Sequence, residues 1–183
     1  MAEDKGKTLK DLGTIILCGD VNTENMKQVS IDLLEVDNNP KADYDHINMI
    51  LNSPGGGCRD GFMLIDIIGM CRHAIHITGL GICSSMGFMI LCSGTKGFRK
   101  ITNNTTLMCH QFSWGTVGKR HELVSARKQE DILHERLVSH LVKHTNLDKK
   151  GVEKYLLPET DVWLTPEQAI EYGIVDEIII NKS

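Results

Sequence analysis

The sequence predicts an α/β domain in which helices cover a mainly parallel β-sheet. Short apolar runs typical of buried strands alternate along the chain with segments of helical periodicity. Clusters of glycine, proline and asparagine separate several of these segments. The composition, 41% hydrophobic and 24% charged over 183 residues, is typical of one globular domain with its own core. We therefore expect residues 1–183 to form a single domain of alternating strands and helices.

Apolar patterning in the first half of the chain predicts three strands and three helices. The first helix is capped by Asn22 or Thr23, and the cluster 38–40 (Asn-Asn-Pro) ends it. The glycine-rich segment 79–87 follows the third strand and is expected to open an apolar helix that ends near Gly94. The expected strands are 14–19, 47–51 and 74–78, and the other two helices are 23–37 and 60–71.

The second half predicts three more strands, one long helix and one short helix. The long helix, roughly 122–144, has an amphipathic pattern. The short helix has Thr165 as its N-cap, Pro166 at its first position, Gln168 completing a capping box, and Gly173 as its stop. The expected strands are 98–101, 106–111 and 174–180.

Charge and cysteine usage exclude several classes of protein. With 24 acidic and 20 basic residues the net charge is −4, which argues against a nucleic-acid binder and against a polybasic membrane-surface protein. No apolar run approaches the length of a membrane span, and the charged N-terminus is unlike a secretory signal peptide. The six cysteines form no C-x-x-C pair, so neither disulfides nor a zinc site is expected. These features predict a cytoplasmic protein.

The turn 52–57 (Asn-Ser-Pro-Gly-Gly-Gly) is the first candidate for a binding site. Glycines directly after a strand let the backbone approach a ligand and point N–H groups at a negative charge. The turn therefore fits an oxyanion or phosphate site, and it equally fits a tight strand-to-helix turn that needs positive φ. A phosphate loop of the Walker type is excluded because the Lys-Ser/Thr ending is absent.

Ser85 is the candidate nucleophile. A serine where a strand gives way to a helix can expose its hydroxyl, and the helix start favours an anion there. A plain N-cap role explains the same residue, and Ser84 competes for either role. The surrounding sequence is not the G-x-S-x-G elbow of α/β-hydrolases.

A serine nucleophile needs a base, and His110 at the end of a predicted strand is the best placed of eight histidines. His140 and His144 have the spacing of a metal pair but lack the H-E-x-x-H glutamate, so we expect them on a solvated helix face. Asp161, in a loop before the capped helix, is the candidate to orient the base, although a loop aspartate is often only a turn residue. The remaining histidines that we considered are His73, His76, His121 and His134.

Taken in order, these segments resemble ClpP, the family of self-compartmentalising serine proteases of the Clp system. The matching motifs are 52–56 (Asn-Ser-Pro-Gly-Gly), 85–87 (Ser-Met-Gly), 108–111 (Met-Cys-His-Gln), 161–169 and 171–176. The resemblance runs from about residue 14 to 180, and the interval of 25 residues between Ser85 and His110 matches the family. Each motif alone is weak, whereas the ordered set is highly specific.

The resemblance implies a Ser-His-Asp mechanism in this chain order. Ser85 would be the nucleophile, His110 the general base and then acid, and Asp161 the residue that orients the imidazole. The backbone N–H groups of Gly56 and Met86 would form the oxyanion hole. No metal and no cofactor is implied, because ATP belongs to a partner protein.

The resemblance also implies a fold and an assembly. The fold is a crotonase-like stack of β-α units with a projecting handle, a strand plus long helix at about 112–146, and a short N-terminal arm at 1–12. Family members form homo-oligomeric rings of seven subunits, stacked as a tetradecamer, and a Clp-family AAA+ unfoldase feeds them unfolded protein. The expected function is thus a serine endopeptidase acting on unfolded polypeptides in a chamber, without nucleic-acid or membrane partners.

The chain departs from the family pattern at five places. The N-terminal arm is short, and the strand residues 48–51 (Asn-Met-Ile-Leu) lack the aromatics that often help to dock the unfoldase. Residues 112–115 (Phe-Ser-Trp-Gly) stand where the family has proline and small residues, and Thr160 replaces a frequent arginine. About two extra residues separate His110 from Asp161.

Two other functions remain open from the sequence. The departures fit a ClpP-like structural or regulatory ring subunit with weak or no proteolysis, although no member of the triad is missing. A crotonase-fold acyl-CoA enzyme would also use paired backbone N–H groups as an oxyanion hole. Such an enzyme does not need a Ser-His-Asp set, and 183 residues is short for one.

Overall fold

The computed structural model describes residues 6–180, which form a sheet of seven strands with helices packed on it. The strands are β1 (Thr14–Cys18), β2 (His46–Ser53), β3 (Ala74–Ser84), β4 (Arg99–Thr102), β5 (Thr106–Cys109), β6 (Val162–Leu164) and β7 (Glu177–Ile179). The α-helices are α1 (Thr23–Asp37), α2 (Cys58–Met70), α3 (Met86–Cys92), α4 (Arg120–His144), α5 (Lys149–Tyr155) and α6 (Pro166–Glu171). A single 3₁₀ turn at Lys10–Leu12 precedes β1.

The sheet is mainly parallel, as the sequence predicted. Its strand order is β1-β2-β3-β4-β7 with all neighbours parallel, while β5 pairs with the far end of β3 and β6 pairs antiparallel with β5. Helices α1 and α2 provide the crossovers between the first three strands, which is the connection that parallel pairing requires. The predicted α/β fold class is confirmed.

The third strand is longer than the predicted 74–78, while the apolar helix predicted at the end of the glycine-rich segment 79–87 is present as α3. β3 continues through this segment to Ser84, and α3 begins only at Met86. The reason is a change of partner: β3 pairs with β4 through Gly79 and then with β5 from Ile82 onward. Gly81, at φ +63°, lies between the two paired stretches and supplies a backbone conformation that other residues rarely adopt.

Helix α3 forms the centre of the core. All seven of its residues are buried, because it packs against β3, α2 and α4. Its composition, apolar on every side, is that of a fully enclosed helix rather than of a surface helix. The N-terminus of α3 is therefore held rigidly at the end of β3.

The long helix predicted at about 122–144 is present as α4 and begins two residues earlier than expected. Only its C-terminal part is buried, where Leu137, Val138 and Leu141 contact the core. Residues 110–119 carry no regular structure, so the strand expected in the handle region is not formed in the single chain. A strand requires hydrogen bonds from a neighbouring backbone. Within residues 6–180, α4 and the other helices all fall short of the length and apolarity needed to cross a membrane.

The expectation that His140 lies on a solvated helix face is wrong. His140 is 7% exposed, and its Nε2 lies 2.9 Å from the backbone oxygen of Met89 in α3. The His144 ring lies 4.5 Å from it, centroid to centroid. Burial, reinforced by the neighbouring charges of His144 and Lys143, lowers the pKa of His140 to about 4, so this histidine is neutral at physiological pH.

Three short elements differ from the prediction: α5 and β6 were not predicted, and the last strand is shorter than expected. α5 is capped by Asp148, whose side chain accepts the Gly151 N–H, and β6 is only three residues long. The last strand, expected from residue 174, begins at Glu177, because the N–H groups of Ile174 and Val175 donate to the backbone oxygen of Ala169 in α6. Of the N-terminal arm expected at 1–12, residues 1–5 lie outside the described range.

A buried ion pair connects β4, the end of α4 and the start of β7. The Arg99 side chain is 1% exposed, and its Nη2 and Nε lie 2.7 and 2.9 Å from the two carboxylate oxygens of Asp176. Its Nη1 donates to the backbone oxygen of His144 at 2.6 Å. Burial opposes ionisation of Asp176, but the hydrogen bonds and charge of Arg99 prevail and lower its pKa.

Replacing Asp176 by asparagine should leave the Arg99 charge buried without a counter-charge. We expect Asp176→Asn to lower the free energy of unfolding by about 3–5 kcal/mol, the usual cost of breaking a buried pair. Urea denaturation followed by circular dichroism measures this change. Glu177→Gln is the matched control, because its partner Lys100 is a surface residue and the loss should stay below about 1 kcal/mol. Equal losses for the two variants would contradict this interpretation.

Candidate active site

The end of β3 and the end of β5 meet at one place. The two strands pair in parallel register with Ser84 opposite Met108, and the Ser85 N–H donates to the Met108 oxygen at 2.9 Å. Ser85 follows β3 directly, and His110 follows β5 directly. The register alone therefore brings the serine and the histidine to adjacent strand ends.

The unpredicted strand β6 brings Asp161 to the same place. β6 runs antiparallel to β5 with Val162 opposite Cys109, so the next pair in this register is His110 with Asp161. The sequence singled out both residues but not the strand that places them together. The three β-forming residues 162–164 (Val-Trp-Leu) were the available signal.

The three side chains form one continuous chain of contacts. His110 Nε2 lies 2.9 Å from Ser85 Oγ, and His110 Nδ1 lies 3.2 Å from Asp161 Oδ1. The imidazole is thus held between a hydroxyl and a carboxylate, an arrangement in which it can accept the hydroxyl proton. The His110 side chain is 27% exposed and that of Asp161 56%, so water screens the carboxylate more than the imidazole.

Ser85 has a strained backbone. Its φ of 53° and ψ of −121° make it the one non-glycine residue with positive φ among residues 6–180. Such a conformation costs of order 1–3 kcal/mol and persists only where the surroundings enforce it. Here the buried helix α3 on one side and the Met108 hydrogen bond on the other hold the turn, and the hydroxyl faces His110.

Gly55 and Gly56 bring the loop after β2 into direct contact with this turn. A Cβ on Gly55, at φ +96°, would lie 2.6 Å from Ser85 Cβ and 3.0 Å from the Met86 nitrogen. A Cβ on Gly56, at φ +145°, would lie 2.3 Å from the oxygen of Val21. Both positions therefore require glycine, and the loop backbone lies against the serine and the first residue of α3.

The N–H groups of Gly56 and Met86 are available to a ligand. Val21 donates to Gly55 O at 2.8 Å and accepts from Gly57 N at 2.7 Å, and no acceptor among the described residues takes the Gly56 N–H between them. The Met86 N–H belongs to the first turn of α3, where helices leave N–H groups without partners. Two such donors near a serine can stabilise an oxyanion.

The competing nucleophiles have different environments. Ser84 is buried, and its hydroxyl donates to the backbone oxygen of Pro54 at 2.6 Å. Cys58 lines the same cavity as Ser85, but burial raises the pKa of its thiol, which disfavours the thiolate. Ser85 is the hydroxyl that contacts His110.

The other histidine candidates lie elsewhere. His73 precedes β3 and contacts Asp37, with Nδ1 and Oδ1 3.0 Å apart. His76 stacks on His46 and Phe98, with ring centroids 4.0 Å away in each case. Both histidines are at the start of β3, whereas Ser85 follows its end. His121, like His134, lies on α4. Across residues 6–180, no three metal-ligating side chains converge on one point.

A cavity of about 520 Å³ opens beside Ser85, between the start of α2, the segment 110–119 and one face of α4. Its walls combine apolar and charged side chains. The apolar ones are Phe112, Trp114, Ile132 and Leu133, and the charged ones are Arg59, Asp60 and Arg136. Sequence reasoning did not identify this wall, because it is assembled from segments that are distant in the chain.

Comparison with known proteins matches the sequence to a family model and to many curated proteins. The sequence model of a family described as Clp protease matches residues 2–182. A curated protein of Thermobifida fusca (strain YX), named ATP-dependent Clp protease proteolytic subunit 2, is 31% identical over 135 residues. That alignment covers 74% of this chain and 66% of the relative, so the matched part spans about two thirds of the relative's length.

Substitution of Gly55 tests how closely the loop and the serine turn are packed. Gly55→Ala should lower the free energy of unfolding by about 1–3 kcal/mol, because the added Cβ meets the Ser85 turn and φ is positive. Gly69→Ala, in an exposed part of α2 with no atom within 4 Å of the added Cβ, should raise it by about 0.5–1 kcal/mol. Thermal denaturation of both variants measures the difference, and a neutral Gly55→Ala would show that the loop can move away.

Proposed function

The chain belongs to the Clp protease family, and we propose that it is a serine endopeptidase acting through Ser85, His110 and Asp161. The observation that carries the proposal is the contact of 2.9 Å between Ser85 Oγ and His110 Nε2, at a strained turn beside two available backbone N–H groups. The family membership supports the same reaction class.

In the acylation step His110 acts first as base and then as acid. Ser85 Oγ attacks the carbonyl carbon of the scissile peptide bond while His110 Nε2 takes the hydroxyl proton. The N–H groups of Gly56 and Met86 donate to the oxygen that becomes negative in the tetrahedral intermediate. The C–N bond then breaks, and His110 delivers its proton to the leaving amine.

Deacylation repeats the same proton transfers with water. His110 takes a proton from a water molecule that attacks the acyl carbon, and it returns this proton to Ser85 Oγ as the ester bond breaks. Asp161 accepts the Nδ1–H of His110 throughout. In this way it selects the tautomer with a basic Nε2 and stabilises the imidazolium when it forms.

We also propose that the chain works in an assembly and with a partner. The name of the relative describes an ATP-dependent protease of which it is the proteolytic subunit. On that basis, and on the resemblance of the sequence to ClpP, we propose homo-oligomeric rings of seven subunits, stacked in pairs, and an ATP-driven Clp unfoldase that delivers unfolded chains. Exposed apolar side chains support an assembly. They include Leu9, Leu12 and Ile16 near β1, and Leu123, Val124 and Ile132 on α4.

The proposed place of action is the cytoplasm. All six cysteines are free thiols in the structure, and they include Cys18, which is exposed to solvent. Free thiols of this kind fit a reducing compartment. The proposed reaction uses no cofactor on this chain, since ATP hydrolysis is assigned to the unfoldase.

Removal of the Ser85 hydroxyl is the direct test of the mechanism. We expect Ser85→Ala to lower peptide hydrolysis by about 10⁶-fold, the usual loss when a triad nucleophile is removed. A fluorophosphonate should label the wild-type chain at Ser85, and intact mass with peptide mapping locates the adduct. Ser84→Ala is the control and should keep both activity and labelling, since that hydroxyl bonds only to Pro54 O.

Two outcomes would contradict the proposal. Unchanged hydrolysis in Ser85→Ala would show that another group performs the chemistry. A folded wild-type chain that neither hydrolyses peptides nor accepts the fluorophosphonate, alone or with an unfoldase, would favour a structural ring subunit.

Asp161 should contribute less than Ser85. We expect Asp161→Asn to lower kcat by about 10²–10⁴-fold, because asparagine favours the imidazole tautomer in which Nε2 carries the proton. The loss should be smaller than that of Ser85→Ala, since the Asp161 side chain is half-exposed and water weakens its interaction with His110. Steady-state kinetics on one fluorogenic peptide measures this change. Glu159→Gln, two residues earlier, is the control and should change kcat little. A loss as large as that of Ser85→Ala would indicate that Asp161 is desolvated in the working enzyme.

A further inference from the structure

We infer that the cavity beside Ser85 selects substrates with a glutamate before the scissile bond, and that Arg59 and Arg136 determine this specificity. The inference rests on the proposed endopeptidase function, because it concerns which side chain enters the cavity during acyl transfer. It names a substrate class that follows from the charges lining this cavity.

The position of the cavity identifies which substrate residue it receives. Ser85 and Gly56 both line it. In the proposed reaction the acyl carbon bonds to Ser85 Oγ, and its oxygen accepts the Gly56 N–H. The side chain of the residue that carries this acyl group is attached to the Cα, which is one bond from the acyl carbon. A cavity that borders both groups is therefore within reach of that side chain.

The one carboxylate of the cavity wall is already engaged. Thr23 Oγ1 donates to Asp60 Oδ1 at 3.1 Å. Asp60 also lies in the first turn of α2, where the helix dipole stabilises a negative charge. Asp60 keeps its negative charge, so two arginines and one aspartate leave the charged part of the wall with a net charge of +1.

Arg59 has no such local role. It is exposed, and no carboxylate in the described range forms an ion pair with it. It also lies in the first turn of α2, where the helix dipole disfavours a positive charge. Folding of α2 therefore does not explain an arginine here, whereas a negatively charged ligand in the cavity would.

Arg136 of α4 lines this cavity and also a neighbouring cavity, which Phe62 lines. Its guanidinium carbon lies 5.3 Å from the centroid of the Phe62 ring, a cation–π contact that positions the group. Within residues 6–180 no carboxylate pairs with it either. Its N–H groups remain free to bind a carboxylate in a bidentate manner.

The shape of the wall favours glutamate over a shorter acid. Phe112 and Leu133 supply apolar surface for the methylene groups of an extended side chain. The two guanidinium groups can then meet the terminal carboxylate. Glutamine has the same shape without the charge, and it is the substrate that isolates the electrostatic contribution.

Three fluorogenic peptides that differ only in the residue before the scissile bond, Glu, Gln or Lys, test the inference on the full chain. For the wild type we expect kcat/KM for the Glu peptide to exceed that for the Gln peptide by about three- to tenfold, as exposed ion pairs contribute modestly. The Lys peptide should be the poorest. Raising the salt concentration from about 0.05 to about 0.5 M should lower the Glu/Gln ratio, because salt screens exposed charges.

Variants of the two arginines should change this ratio specifically. Arg59→Gln and Arg136→Gln should each bring the Glu/Gln ratio towards one, and Arg59→Glu should make Lys better than Glu. Arg127→Gln is the matched control. Arg127 is an exposed arginine of α4 that pairs with Glu130 and Asp131, and it does not line the cavity, so the ratio should stay at the wild-type value.

The outcomes separate this inference from the function on which it rests. Fluorophosphonate labelling of Ser85 in each variant shows that its site is folded. A labelled wild type that hydrolyses the Gln peptide as fast as the Glu peptide, or a ratio unchanged in both Arg59→Gln and Arg136→Gln, overturns the acidic specificity and leaves the proposed function intact. A wild type that is neither labelled nor active on any peptide overturns both.

Discussion

The pairing of the second half of β3 with β5 is the interaction on which the candidate site depends. β3 leaves β4 after Gly79 and continues alongside β5, so the last backbone bond of this pairing runs from Ser85 N–H to Met108 O. This bond fixes the serine relative to the strand that ends before His110. One register thus determines the contact between hydroxyl and imidazole, and β6 adds the carboxylate through its own register with β5.

The strained turn at Ser85 is held by packing on both sides. α3 is buried along its whole length, which anchors the residue after the serine. Gly55 approaches the turn so closely that any side chain there would collide with Ser85. The surroundings thus offset the cost of positive φ, and the geometry that exposes the hydroxyl towards His110 is maintained by the core itself.

Local patterns predicted the order of strands and helices and singled out Ser85, His110 and Asp161 as candidates, and the motif resemblance implied their roles. The features that were predicted wrongly or missed depend on contacts between distant segments. The extension of β3 to Ser84 is decided by a change of partner strand, and β6 is too short to be recognised without β5 beside it. The spacing of His140 and His144 suggested a solvated helix face. His140 is buried because its ring contacts the backbone oxygen of Met89, a residue that is distant in sequence. The cavity wall was missed for the same reason, since Arg59 and Arg136 belong to different helices.

The segment 110–119 connects the proposed assembly to the proposed specificity. It has no regular structure in the single chain, yet Phe112 and Trp114 from this segment line the cavity beside Ser85. Their rings meet edge to face, with centroids 6.5 Å apart, and Trp114 is 41% exposed. An assembly that paired the backbone of this segment with another strand would fix both rings. The apolar part of the cavity wall would then become rigid, so substrate selection would depend on assembly as well as on the residues of one chain.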